Sequence, residues 1–463
     1  FLRNMLATTL SVACPALAGA DERINLSLQV ASATPITVPK NFTGLGYEMS
    51  SVAMPGLLRP GNRRYVELVR GLGPAGVLRA GGIVANYTRY EPTGVSAFDC
   101  RNTVITHRDL EGFGEFLGAI GWRAIWSVNF AQGTLDQAVE EARAVAAVLG
   151  PRLLALEIGN EVENYGRSQP FRSPTYGYDD YRREFAQWRA AIAKAIPGAA
   201  FAAPDTAQSV EWVEKMAQDA RGQVQLLTTH YYRNGQKRGD AEQLLHPDAR
   251  LENVVERIRA ASQQAGVPWR LCEMNSFSGG GRPGVSDTFV ATLWTLNIML
   301  YLAQSGCAGV NMETGVNQLG FISSYSPIQD DGHGVNTAGA PYYGMLAFAK
   351  AFAGCDQMLP LSGFDARQGV SAYAFGAAGK PRSVVIVNMT PRETRASVSA
   401  LGMEHASVLR LTAPAADSRS GVTFGGAAVD TNGRWTAQAR ETIHRGQILT
   451  PPMSAVVIRA RRE

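Results

Sequence analysis

The stretch LLALEIGNE, residues 153–161, is a short apolar run that ends in two polar residues, Asn160 and Glu161. Runs of this kind, separated by amphipathic helical patterns, are typical of buried parallel strands. The eight predicted strands are 42–50, 76–82, 122–130, 153–161, 199–206, 224–232, 268–276 and 309–315. Predicted helices between them include 110–120, 135–149, 181–196, 251–265 and 288–305.

Eight strand–helix units in this length predict a closed (β/α)8 TIM barrel, an α/β fold in which chemistry sits at the carboxyl ends of the strands. An open doubly wound sheet is the alternative. The first strand–helix turn has no Gly-rich dinucleotide fingerprint, however, and the strand count favours closure.

The pattern changes after about residue 353, where short strands are predicted at 370–375, 382–388, 407–412 and 455–460. Turns such as Gly425-Gly426 link them, as in a β-sandwich. Residues 21–40 also look strand-like. We therefore predict a catalytic barrel at 41–353 and a β-sandwich domain at 354–463 that also takes the N-terminal strand segment 21–40.

Residues 1–20 predict a signal peptide, since Arg3 precedes an apolar stretch that ends in the small-x-small pattern Ala16-Leu17-Ala18. This stretch is too short to span a bilayer, and no later segment is apolar enough to do so. We therefore expect a secreted or periplasmic protein with no membrane span. Cys14 lies in the signal. The other four cysteines are scattered, which leaves their disulfide status open.

Composition narrows the functional classes further. A net charge of +4 over 463 residues tolerates an acidic ligand but lacks the dense Lys/Arg clustering of a nucleic-acid binder. None of the cysteines shows metal-ligand spacing. We therefore expect no nucleic-acid partner, no metal and no organic cofactor. The oligomeric state is open.

Two glutamates are placed to carry chemistry. Glu161 closes predicted strand four in LEIGNE, and Glu273 closes predicted strand seven in WRLCEMN, residues 269–275. These strands face one another across a barrel mouth. Hydrolysis of a glycosidic bond needs one acid to protonate the leaving oxygen and one carboxylate to support the sugar carbon. We predict Glu161 as acid/base and Glu273 as nucleophile of a retaining glycosidase, with Asn160 binding the sugar 2-hydroxyl.

Further motifs resemble one family of these enzymes. The stretches EMNSFSGGG (273–281) and VSDTF (285–289) are similar to glycoside hydrolase family 79, the heparanase and β-glucuronidase family. HYYRNG (230–235) and APYYG (340–344) resemble its strand-six motif and its last barrel helix. The resemblance covers residues 40–353 and implies a barrel with a β-sandwich.

The resemblance implies a retaining β-D-glucuronidase whose partner is a glucuronic-acid-containing oligo- or polysaccharide, with heparan-sulfate-type chains among the expected substrates. It implies that the N–H of Gly280 binds the glucuronate carboxylate, that Tyr325 caps it, and that Tyr231 lies beneath the sugar near Glu273. His230 is also implied to bind substrate.

Other polar strand ends have less specific roles. The resemblance suggests that Glu48 binds sugar hydroxyls, although a salt bridge at the rim explains it as well. We expect Glu313 to be structural and Arg79 to anchor carboxylates inside the barrel. The basic stretch 233–238 either contacts an acidic glycan or is a solvated loop.

Two departures from the family and two alternative functions remain. Ser278 stands where the family often has tyrosine, and Val162 where it often has proline. The alternatives are a retaining barrel glycosidase for a neutral β-glycoside and a carbohydrate-binding protein without catalysis. Exo and endo cleavage are not distinguished.

Overall fold

The computed structural model describes residues 23–315, 322–330, 335–439 and 441–460, so the predicted signal peptide lies outside the described residues. Eight parallel strands close into a barrel in chain order, which confirms the predicted fold class. Barrel strands 1 to 8 are Gly44–Glu48, Val77–Gly81, Arg123–Val128, Leu153–Ile158, Phe201–Thr206, Leu226–Gly235, Trp269–Ser278 and Val310–Glu313.

Helices surround this barrel, and local sequence fixes their ends. Thr106 and Thr134 each form a capping box, and Gly121 and Gly266 end their helices in the left-handed conformation that glycine adopts without strain. The α-helices are Ser50–Ala53, Arg63–Gly71, Gly82–Ala85, His107–Ile120, Leu135–Leu149, Tyr178–Ala195, Val210–Asp219, Ala241–Leu245, Ala249–Ala265, Phe289–Gln304 and Ala340–Phe352. Short 3-10 turns are Gly150–Arg152, Val162–Asn164, Gln236–Arg238, Ala366–Gln368 and Ser399–Leu401.

Two sheets form the β-sandwich. The larger contains, in order, Thr423–Phe424, Ser407–Thr412, Ser454–Arg459, Lys380–Asn388, Val370–Ala377, Gln357–Leu359 and Ile36–Thr37, with Glu441–Thr442 paired to its second strand. The smaller contains Ile24–Ser27, Thr394–Ser397 and Gln447–Thr450. Three short pairs complete the described strands: Gln29–Val30 with Leu361–Ser362, Arg89–Tyr90 with Val104–Ile105, and Ile328–Asp330 with Asn336–Ala338.

Strand alternation gives the larger sheet two apolar faces. Val384 and Ile386 pack in the sandwich core, whereas Val385 and Val387 belong to the same apolar cluster as the barrel and its helices. The sandwich therefore packs directly against the barrel wall. Within the described residues, no helix combines the length and the apolar character needed to cross a bilayer.

The barrel lumen is apolar at one level and polar above it. Val77, Ile125, Ala155, Ala202 and Leu226 form a small buried cluster of their own. Arg79, two residues further along strand 2 than Val77, begins the polar layer and is fully buried. Arg79 and the carboxylates that it contacts thus lie towards the strand ends where the two glutamates are found.

Glu141, on the helix Leu135–Leu149, is a buried carboxyl outside the lumen. It accepts a hydrogen bond from the Trp126 indole nitrogen at 2.7 Å. Burial raises the pKa of Glu141 from 4.5 to about 7, although this hydrogen bond opposes the rise.

At a pH between the unfolded pKa of 4.5 and the folded pKa of about 7, Glu141 in the folded protein keeps a proton that the unfolded chain releases. The free energy of unfolding should therefore fall as pH rises from about 5 to 8. Glu141→Gln keeps an acceptor for Trp126 and has no proton to lose. Relative to the wild type, its free energy of unfolding should therefore increase by roughly 2–3 kcal/mol between about pH 5 and pH 8. Urea unfolding at about pH 5 and about pH 8 measures this increase. Glu140→Gln, its exposed neighbour, is the control, and an equal gain in both variants would contradict the assignment.

Candidate active site

Glu161 lies in a turn just after barrel strand 4, not at its end as predicted. The strand stops at Ile158, and Gly159 turns the chain with a φ of 95°. Glu161 itself has a left-handed φ of 52°, and its N–H donates to the carbonyl of Asp205 at 2.8 Å. Such a conformation is costly for a residue with a side chain and is often found at functional sites. The turn leaves 22% of the Glu161 side chain exposed at the barrel mouth.

Glu273 lies within barrel strand 7, whereas the sequence predicted it at a strand end. Strands 6 and 7 continue to pair beyond the barrel, as far as Gly235 opposite Ser278. The Glu273 carboxylate accepts hydrogen bonds from Arg79 at 2.7 Å and from the Tyr232 hydroxyl at 2.9 Å. Both contacts hold the side chain at the mouth, where 12% of it is exposed.

The two glutamates face each other at short range. One carboxylate oxygen of Glu161 and one of Glu273 lie within 4.8 Å of each other. Retaining glycosidases place their carboxyl groups about 5–5.5 Å apart, and inverting ones about 6.5–9.5 Å. The observed spacing corresponds to the retaining geometry.

Arg79 connects the carboxylates below this pair. Its guanidinium is fully buried and donates to Glu157 at 2.9 Å, to Asp205 at 2.6 Å, to Asn160 Oδ1 at 2.7 Å and to Glu273. Burial would lower the pKa of Arg79, but Asp205 and Glu157 outweigh it and raise the pKa well above its ordinary value. Arg79 is therefore a permanent cation that orients four polar side chains.

His230 lies between the two glutamates. Its Nε2 is 3.1 Å from Asp205, and its Nδ1 is 3.4 Å from Glu161 and 3.8 Å from Glu273. Burial would lower the pKa of His230, but Glu273 and Asp205 raise it well above its ordinary value. Asp205 also accepts a hydrogen bond from the Cys272 thiol at 2.7 Å. The charges of Glu273 and Asp205 thus favour the protonated form of the ring.

Asp205 is the anion that balances these cations. Burial alone would raise its pKa, but Arg79 and His230 lower the pKa well below its ordinary range. Glu157 behaves in the opposite way. Burial, with the neighbouring charge of Asp205, raises the pKa of Glu157 although Arg79 contacts it. The two carboxyls thus titrate on opposite sides of their ordinary values.

Two triads of donor atoms lie close enough to hold a metal ion, within 4.8 Å of one another. They are Asp205, His230 and Cys272, and Glu161, His230 and Glu273. Both triads share His230. Hydrogen bonds within the first triad satisfy its members without a metal. The expected absence of a cofactor stays a prediction.

Glu48 and Glu313 are the last residues of barrel strands 1 and 8. Glu48 accepts from the N–H of Val84 at 2.9 Å, and burial together with Glu273 raises its pKa to about 8. Glu313 pairs in register with Gly46 and is 3% exposed. Burial and Glu273 raise the pKa of Glu313 well above its ordinary value. Both carboxyls border the reaction site, and both favour the neutral form.

The glycine loop packs beside a pair of tyrosines. Gly280 has a φ of 89°, and its carbonyl accepts from the N–H of Ser324 at 2.7 Å. Among the described residues, no acceptor contacts the N–H of Gly280. The Tyr325 ring stacks on Tyr232 with centroids 6.2 Å apart. Because Tyr232 contacts Glu273, the structure brings Gly280 and Tyr325 to the Glu273 side of the mouth.

The predicted position of Tyr231, near Glu273, is wrong. The Tyr231 hydroxyl donates to Asp248 at 2.8 Å, and the neighbouring Tyr232 contacts Glu273 instead. Side chains alternate along a strand, so His230 and Tyr232 share the face that points to the site and Tyr231 has the opposite face. This alternation was available in the sequence.

The structure also shows contacts near Glu161 that the sequence did not predict. Gln169 donates to Glu161 at 3.1 Å, and Asn86 donates to Gln169 at 3.0 Å. Gln169 lies eight residues beyond Glu161 in an irregular loop, and Asn86 follows strand 2. Neither position carries a motif, so no sequence signal pointed to them.

A closed barrel with two facing glutamates and an attached β-sandwich is the architecture of the barrel glycoside hydrolases. Residues 372–456 match the model for the glycosyl hydrolase family 79 C-terminal beta domain. This match and the relatives below support the resemblance of the motifs to glycoside hydrolase family 79.

A beta-glucuronidase of Aspergillus niger is 27% identical over 262 residues, which cover 50% of this chain and 47% of the relative. A beta-glucuronidase of Neurospora crassa is 27% identical over 293 residues, covering 56% and 49%. This chain therefore spans about half the length of the curated relatives it matches.

Solved structures show the same fold. A 4-O-alpha-L-rhamnosyl-beta-D-glucuronidase from Fusarium oxysporum 12S has a TM-score of 0.76 at 18% identity, covering 94% of this chain and 100% of its own. An alpha-L-arabinofuranosidase from Thermotoga maritima has a TM-score of 0.69 at 16% identity, covering 95% and 100%.

Proposed function

We propose that this protein is a retaining β-D-glucuronidase in which Glu161 is the acid/base and Glu273 the nucleophile. The observation that carries the proposal is the approach of the two carboxylates to within 4.8 Å at one barrel mouth. The beta-glucuronidase relatives support glucuronate as the sugar.

In the first step, a Glu273 oxygen attacks the anomeric carbon while the Glu161 proton passes to the leaving oxygen, and the glycosidic bond breaks. In the second step, Glu161 takes a proton from water, which attacks the same carbon and releases Glu273. Arg79 and Tyr232 contact Glu273 and hold it for attack. The side-chain carbonyl oxygen of Asn160 accepts a hydrogen bond from Arg79. Its amide nitrogen is therefore left to bind the sugar 2-hydroxyl.

The pocket beside Glu273 suits a carboxylate on the sugar. The N–H of Gly280 and the Tyr325 hydroxyl are neutral donors, which bind an anion without placing another cation against Glu273. The neutral forms favoured at Glu48 and Glu313 keep two further negative charges away from it. His230 contributes a positive charge between the two glutamates.

The narrower assignment to heparan-type chains depends on cations near the mouth. Arg233 is not available for it, because Asp248 pairs with it at 2.8 Å. Lys237 and Arg238 form an exposed turn beside Gln236, whose amide donates to Gly281 at 2.7 Å. Product analysis on long and short chains would separate endo from exo cleavage.

Comparison of an aryl β-glucuronide with the matched aryl β-glucoside tests the proposed function. We expect hydrolysis of the glucuronide with retention of configuration, observed by NMR of the first product. Faster hydrolysis of the glucoside would instead assign the protein to neutral β-glycosides, and no turnover of either would favour a binding protein.

Glu161→Gln should lower kcat/KM by about 10²–10⁴-fold, since it removes a positioned general acid. The loss should be smallest for p-nitrophenyl glucuronide, whose leaving group needs little protonation, and largest for alkyl glucuronides. Added azide should restore turnover as a β-glucuronyl azide. Glu163→Gln is the matched control on the same turn, since Glu163 contacts backbone N–H groups at 208 and 209. Equal losses for good and poor leaving groups would refute the acid/base role.

We also propose that residues 1–20 direct the protein to secretion or the periplasm. The basic residue, apolar stretch and small-residue cleavage pattern support this. N-terminal sequencing of the extracellular or periplasmic protein should find a start near residue 20. A cytosolic protein that retains these residues would refute it.

A further inference from the structure

A segment after barrel strand 2 exposes several apolar side chains close together in sequence. Ile83 is 38% exposed, Val95 86% and Phe98 45%. Single exposed apolar residues are normal on protein surfaces, but a group of them beside a cleft is typical of a binding surface. We call these three residues the apolar rim.

The apolar rim begins at the reaction site. Ile83 lies between Gly82 and Val84, and the N–H of Val84 donates to Glu48 at 2.9 Å. A Cβ at Gly82 would come within 2.2 Å of a Glu48 oxygen, so the backbone packs directly on that carboxyl. Glycine is required there for both contact and its φ of 67°.

The same segment also reaches the acid/base. Asn86 donates to Gln169 at 3.0 Å, and Gln169 donates to Glu161 at 3.1 Å. The next residue, Tyr87, packs edge-on against Phe171 with ring centroids 5.5 Å apart. Residues 83–87 therefore pack on the Glu161 side of the mouth, with Ile83 exposed and Tyr87 half-buried.

Val95 and Phe98 belong to a loop that Arg101 fastens to this wall. The Arg101 guanidinium lies 4.5 Å from the centre of the Tyr87 ring and also contacts the Tyr87 hydroxyl. Ala97 bridges to Val104, which folds the loop back on itself and leaves its tip exposed. The loop thus extends the wall outward with apolar side chains.

The location of the apolar rim indicates which part of the substrate it would contact. The acid/base protonates the leaving oxygen, so the leaving group lies beside Glu161 and not beside the glycine loop. A sulfated or carboxylated leaving group would require cations on this side. Arg89 is already bonded to Glu91 and Asn102, and Arg101 is held on Tyr87.

We propose that the apolar rim, with Tyr87 and Phe171, is a leaving-group subsite that selects β-glucuronides of bulky apolar phenols or alcohols. This inference rests on the proposed β-glucuronidase activity. It specifies the group attached to the glucuronate, which the two glutamates do not determine.

Phenyl and 4-biphenylyl β-glucuronides test the subsite, because their phenols have similar acidity and differ by one ring. The wild-type protein should prefer the biphenylyl compound in kcat/KM. The double variant Val95→Ser/Phe98→Ser should reduce that preference by about tenfold, mainly through KM, since it removes apolar contact area. Ile83→Ser should act in the same direction.

Val30→Ser/Leu449→Ser is the matched control. These residues are exposed to similar degrees, 42% and 38%. Val30 lies in the short pair with Leu361–Ser362, and Leu449 lies in the smaller sandwich sheet. An unchanged biphenylyl preference in the Val95/Phe98 variant, or faster hydrolysis of a glucuronate-terminated sulfated disaccharide by the wild type, would overturn the subsite alone. Hydrolysis of none of the glucuronides would overturn the proposed function, and the subsite with it.

Discussion

Glu273→Gln should lower kcat/KM for an aryl β-glucuronide by at least about 10⁴-fold, because the amide cannot form the covalent sugar–enzyme bond. The fold should persist. Glutamine has nearly the same shape, and its amide oxygen still accepts from Arg79 while its NH2 can donate to the Tyr232 oxygen. Steady-state rates, together with Tm from calorimetry, measure both effects.

A trapping experiment makes this assignment specific. A 2-deoxy-2-fluoro-β-glucuronyl fluoride should add one glycosyl mass to the wild-type protein, and peptide mapping should find it on residues 269–278. Glu157→Gln serves as a second comparison, since Glu157 also contacts Arg79 but is fully buried below the mouth. It should keep the labelling at Glu273. Label on another residue, or more than 1% residual activity in Glu273→Gln, would refute the nucleophile assignment.

Arg79→Met should destabilise the protein by about 3–5 kcal/mol, the usual result of removing one partner from a buried ionic network. Arg79 is the cation shared by Glu157, Asp205 and Glu273. The lowered pKa of Asp205 means that its ionised form contributes stability above the unfolded value near 3.8, and that this contribution is lost as pH falls through the lower folded value. The deficit of the variant should therefore be larger at pH 7 than at pH 3.

Arg270→Met is a matched control inside the same barrel. Arg270 is also buried, but it donates to Asn311 and to backbone carbonyls, among them those of Phe42 and Val310. Its removal should cost stability with little dependence on pH between 3 and 7. Urea unfolding of both variants at the two pH values gives the comparison. Parallel pH profiles would show that Arg79 acts through packing and not through its charge.

The strand pattern made the barrel and the glutamate pair predictable. Hydrophobic runs such as LLALEIGNE mark buried strands, and a polar residue at the end of such a run must lie near the mouth. Arg79 was expected to anchor carboxylates, and its contacts to Glu157, Asp205 and Glu273 are of that kind. The prediction depended only on periodicity and on the direction of the strands.

Details beyond that periodicity were less accessible. The pairing of strands 6 and 7 shifts register between Thr229 and His230, which sets His230 directly opposite Glu273. Sequence does not reveal such shifts, because they depend on contacts with the neighbouring strand. The error at Tyr231, by contrast, was avoidable from alternation. Gln169 contacts Glu161 through an irregular loop, whose path tertiary packing decides.

The small sheet of the sandwich joins strands that are far apart in the sequence. Ile24 pairs with Thr394, and the strand Thr394–Ser397 is flanked on its other side by Gln447–Thr450. During synthesis on the ribosome, Ile24–Ser27 must therefore wait until residues 394–397 and 447–450 have been made before this sheet can form. Contacts between such distant positions form slowly, and an unpaired strand edge can associate with other chains in the meantime. Removal of Ile24–Ser27 or of Gln447–Thr450 should thus impair refolding yield more than the chemistry of molecules already folded.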